Sequence, residues 1–178
     1  MSNTTIQTTL VTPGQSSGLV NITDSFMETF KGLIRLYIPG IPYSHIYKGL
    51  QPIESESVQL PCVMIQPVEI IPKMSSTAKY EKWYPFDFWF AAGAESVEDC
   101  IVKTTDIGEI FTKLFSNNAL NDLTGAATNK FKTNGSDWMD SEMSKVMFGV
   151  PFLSGRPAGP NYCALGIFNL KLQTQKLV

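Results

Sequence analysis

Histidine is all but absent from this chain of 178 residues: His45 stands alone, so a histidine relay or a His-rich metal centre would have to be made around one ring. Cysteine is nearly as sparse. Cys62, Cys100 and Cys163 lie 38 and 63 positions apart, without the C-x-x-C pairs of zinc and redox sites, and the simpler expectation is three reduced thiols in an intracellular compartment. Charge is thin as well, at 17% against about 25% in typical soluble domains. The formal net charge of −2 offers no excess of positive charge to attract phosphate, so no specific nucleic-acid binding and no membrane-surface binding are expected. No segment approaches the roughly 20 apolar residues of a membrane span. The start, MSNTTIQTTLVTPGQSSG, lacks the basic and apolar regions of a secretory signal, which points to a soluble chain made in the cytoplasm. No self-similarity at a period of about 20 to 50 residues suggests a solenoid.

What is present fits one domain, long enough to bury about 70% of its extended surface. Residues 1–21, dominated by Ser, Thr, Asn, Gln and Gly, read as a flexible arm, and residues 22–178 as a single domain. Ser25 with Glu28 forms a capping box, and Phe26, Phe30, Leu33, Ile34 and Tyr37 recur at helical spacing until Pro39-Gly40 stops the helix. Strands are expected over Leu60–Gln66 and Tyr80–Ala92, paired as a hairpin. Ser96 caps a second helix whose stripe is Val97, Ile101, Thr104, Ile107 or Gly108, Phe111, Leu114 and Phe115, with Asn117-Asn118 as its stop. From Ala119 to Ser144 the signals conflict: Asn134-Gly135 suggests a hairpin turn, while Met139, Met143 and Met147 are spaced like one helix face. An apolar run over Lys145–Leu153 and a long alternating run over Asn161–Gln175 read as strands around the turn-rich loop Ser154–Pro160. The fold class is α+β, an antiparallel sheet of about four to five strands with helices packed on one face.

No arrangement of residues specifies catalysis. A thiol dyad would need His45 beside Cys100 or Cys163, yet both cysteines sit in apolar positions and read as small core residues. Glu54 and Glu56 lie in a Ser-rich loop and read as solvated charges rather than an acid–base pair. The glycines of Gly155–Gly159 have no helix start behind them, so they do not make a phosphate loop. The methionines lack the Cys or His company of a thioether metal site. The expectation is a non-enzyme with no catalytic, metal or cofactor-binding residues. Parity divides the aromatic strand: Tyr84, Phe86, Phe88 and Phe90 form the core face, while Trp83, Pro85, Asp87, Trp89 and Ala91 form a second face suited to a subunit interface. Trp83, Asp87 and Trp89 are therefore interface candidates, joined by Lys73, Lys79 and Arg156 in turn-rich segments. The competing class is a ligand-binding domain or small enzyme with a pocket of Tyr43, Tyr47, Trp83 and Tyr84.

The succession of an amino-terminal amphipathic helix, the strand Leu60-Pro-Cys-Val-Met-Ile-Gln-Pro67, the aromatic strand Lys82-Trp-Tyr-Pro-Phe-Asp-Phe-Trp-Phe90, the helix from Ser96 and two late strands resembles the tail-terminator (tail-completion) family of tailed bacteriophages. The resemblance covers roughly residues 22 to 176 as a pattern of elements. It implies a virion structural protein at the head-proximal end of the tail, assembled as a hexameric ring that caps the finished tail tube. Its implied partners are the tail tube protein, a head–tail connector or neck protein and, where the tail is contractile, the sheath. Another head–tail joining protein of related fold is the nearest alternative.

Overall fold

A computed structural model describes residues 22–76, 79–115 and 137–177, so the proposed arm, Asn117-Asn118 and Asn134-Gly135 lie outside the described residues. Helix α1 (Ile22–Tyr37) is followed by a short 3-10 turn and β1 (Ile46–Lys48). Strands β2 (Cys62–Pro67), β3 (Ile71–Ser76) and β4 (Lys79–Ala94) lead to α2 (Val97–Phe115), and β5 (Asp137–Phe148), β6 (Phe152–Leu153) and β7 (Tyr162–Leu177) complete the sheet. The fold is α+β, as the patterning implies, with more strands than expected. Among the described residues, seven strands form one mostly antiparallel sheet in the order β1-β2-β4-β7-β5, with β3 beside β4 and β6 beside β7. The higher count has a simple cause. β2 and β3 are two stretches of one arm pairing with the same side of β4, interrupted at 68–70, where Val68 N–H still donates to Pro85 O at 3.0 Å. β5 and β6 likewise share one side of β7, interrupted at 149–151. The expected hairpin thus exists with a break in one arm, and the parallel pairing of β1 with β2 makes the sheet mixed.

Other local expectations are corrected. α1 begins at Ile22, so Ser25 lies inside the helix rather than at its cap, and Glu28 serves a different contact, described below. Residues 137–148 are a strand, so the Met139, Met143 and Met147 spacing does not mark a helix; pairing with β7 decides the conformation there. α2 starts as expected, with Ser96 Oγ accepting from Asp99 N–H at 3.1 Å and donating to Asp99 Oδ2 at 2.8 Å. Its buried stripe is rotated, however, to Cys100, Thr104, Ile107 and Phe111, leaving Val97 and Ile101 exposed on one flank. The small Cys100 lets the first turn lie close on Ala94 and Ala164, and Thr104 satisfies its hydroxyl on Cys100 O at 2.8 Å.

The core lies between the helices and the aromatic face of β4, where Tyr84, Phe86, Phe88 and Phe90 are all buried. Helical residues four apart advance about 6 Å, and alternate strand residues about 6.6 Å, so a helix lying along a strand can interleave rings one for one. Phe26 accordingly lies 5.3 Å from Tyr84, while Phe30 lies 5.1 Å from Phe86 and 4.8 Å from Phe88, all edge-on. Phe111 of α2 and Phe168 of β7 close the cluster, stacked at 5.5 Å. Opposite Phe90 stands Gly166, where an added Cβ would collide with the ring.

Candidate functional site

The second sheet face is where the sequence places an interface, and the chain covers part of it itself. Ile53 and Val58, from the segment between β1 and β2, bury against Cys62, Met64, Ala91 and Cys163, with Tyr47, Leu60, Trp89, Phe152 and Leu165 packed around them. Arg156 holds this cover down: its Nε donates to Ile53 O at 2.9 Å and its Nη2 donates to the same carbonyl. Ser154 Oγ, bonded to Pro160 O, also accepts from Arg156 N–H and shapes the loop that carries the arginine. Arg156 therefore has an anchoring role within the chain that sequence did not reveal, since its acceptor lies 103 positions away.

The other interface candidates fall in two places. Trp89 borders a shallow recess of about 220 Å3 lined by Leu50, Ile53, Met64, Phe152 and Leu165. Asp87 accepts from Asn169 Nδ2 across the β4–β7 ladder. Trp83 lies further along, opposite Ile71 on one side and Gln173 on the other, beyond the covered half of the face. Lys73 belongs to β3, in backbone register with Glu81, and Lys79 opens β4, so both lie in strands rather than in a loop. The structure brings Trp83, Asp87 and Trp89 to one face and leaves Arg156 at its upper end.

The aromatic-pocket reading does not assemble. Tyr84 is buried in the core, and Trp83, its neighbour on a strand, points to the opposite face. Tyr47 packs into the second cluster, and its hydroxyl accepts from Gln59 N–H at 3.0 Å. Tyr43 is elsewhere, donating to Glu28 Oε2 at 2.5 Å beneath Lys31 Nζ, which sits 4.2 Å from its ring centre. Lys48 joins Glu28 and Asp24 at 2.5 and 2.6 Å, tying β1 to α1. The Lys48 and Tyr43 hydrogen bonds lower the Glu28 pKa, and the Glu28 bond raises that of Tyr43. Partial burial works against the Lys48 charge, but the two carboxylates outweigh it and raise its pKa.

The thiols are placed for packing. Cys62 is fully buried, and burial pushes its pKa up to about 12; burial raises Cys100 and Cys163 as well. Such thiols carry little thiolate at neutral pH and make poor nucleophiles. His45 Nδ1 lies 3.0 Å from Pro61 O, a loop-fixing bond. The ring borders a wide polar recess of about 740 Å3 together with Glu56, Glu95, Lys103 and Arg156. Two of these already have partners within the chain: Glu95 accepts from Asn161 Nδ2 at 2.6 Å, and Arg156 is committed to Ile53. Among the described residues no group of three or more His, Cys, Asp or Glu side chains is placed to hold a metal ion. Among them, too, no helix is long and apolar enough to cross a membrane.

Large apolar side chains are exposed at both edges of the sheet, besides Leu36 of α1, Val102 of α2 and Leu50 beside Trp89. On the β2–β3 side, Val68 and Ile70 are 53% and 54% exposed. On the β5–β6 side, Phe148 is 49%, Val150 85% and Leu153 71% exposed. No protein-family model matches the chain, and the comparison with curated proteins finds no match either. What fold and surface define together is an α+β domain with apolar side chains exposed at both sheet edges.

Proposed function

We propose that the chain is a phage tail terminator: a virion structural protein and not an enzyme, which closes into a hexameric ring on the head-proximal end of the tail tube. The ring stops tube polymerisation and presents the surface on which the head connector or neck protein docks, with the sheath as a further neighbour in a contractile tail. The observation that carries the reading is the pair of apolar edges, because Val68, Ile70, Val150 and Leu153 are costly to leave in water and suit a subunit flanked on both sides. A ring hides two flanks of every subunit, which also fits the low charge of 17%. The resemblance in element order supplies the rest of the assignment.

Native mass spectrometry with light scattering tests the oligomer, and electron microscopy of purified tail tubes mixed with the protein tests the cap. A six-subunit species that decorates one end of the tubes and arrests their growth is expected. A monomer at all concentrations, or a ring that ignores tube ends, overturns the assignment.

A further inference from the structure

We draw no further inference here: the strongest candidate, the recess of about 410 Å3 beside α2 lined by Ile38, Ala92, Ile107 and Ile110 together with Lys103 and Asp106, is an apolar groove whose two charged groups are of opposite sign, and nothing in the structure shows what covers it.

Discussion

Phe88 is the residue on which most of the core converges. Fully buried, it meets Phe30 at 4.8 Å, Phe111 at 5.6 Å and Phe168 at 5.8 Å, and so joins both helices to β4 and β7. Phe88→Ala should cost about 3–5 kcal/mol, visible as a large drop in the thermal midpoint, and Phe88→Lys should leave the chain unfolded by circular dichroism. Cys62 gives a different signal. Its thiol holds its proton more tightly in the folded state, with a pKa of about 12 against an ordinary 9.0. The stability linked to that proton is complete below about pH 9 and is lost as pH rises towards about 12. The urea midpoint should therefore fall between pH 8 and pH 10.5, and the fall should be shallower in Cys62→Ala; equal slopes would remove Cys62 as its source.

At the scale of elements, the segment between β1 and β2 is held mainly from outside itself. Ile53 and Val58 bury against the second sheet face, and Arg156 clamps the Ile53 carbonyl from the loop before β7. Arg156→Ala should destabilise by about 1–2 kcal/mol and make residues 50–60 the first site of limited proteolysis, with far-UV circular dichroism unchanged. Cleavage no faster than in wild type would mean that packing of Ile53 and Val58 suffices. Element identity was legible where a pattern was strong on its own: the ring spacing of α1, the Ser96 cap and the alternation of β4 and β7. β5 was not, because three methionines at helical spacing are also compatible with a strand, and only the ladder with β7 separates the two. The rotated stripe of α2 was hidden for a similar reason. Cys100, with little hydrophobic signal, faces the sheet, while Val97 and Ile101 face outwards.

For the whole molecule, one sheet carries a cluster on each face, and β2, β4 and β7 contribute to both. The two clusters should consequently unfold together. Denaturation followed by far-UV circular dichroism and by tryptophan fluorescence, with Trp89 reporting on the second cluster, should give coincident curves; an earlier fluorescence transition would show that the cover on the second face opens separately.

Sequence by itself determined the α+β class and the core row Tyr84, Phe86, Phe88 and Phe90, because periodicity and composition are local properties of a chain. It also separated the two faces of β4 by parity. It could not say what covers the second face. The tertiary structure decided that the chain's own segment around Ile53 and Val58 covers the upper half, that Arg156 is spent on anchoring it, and that exposed apolar groups such as Val68, Ile70, Val150 and Leu153 lie at the sheet edges. Those outcomes depend on contacts between residues as far apart as Ile53 and Arg156, and on which strands end as edges, and neither is encoded in the spacing of any one segment.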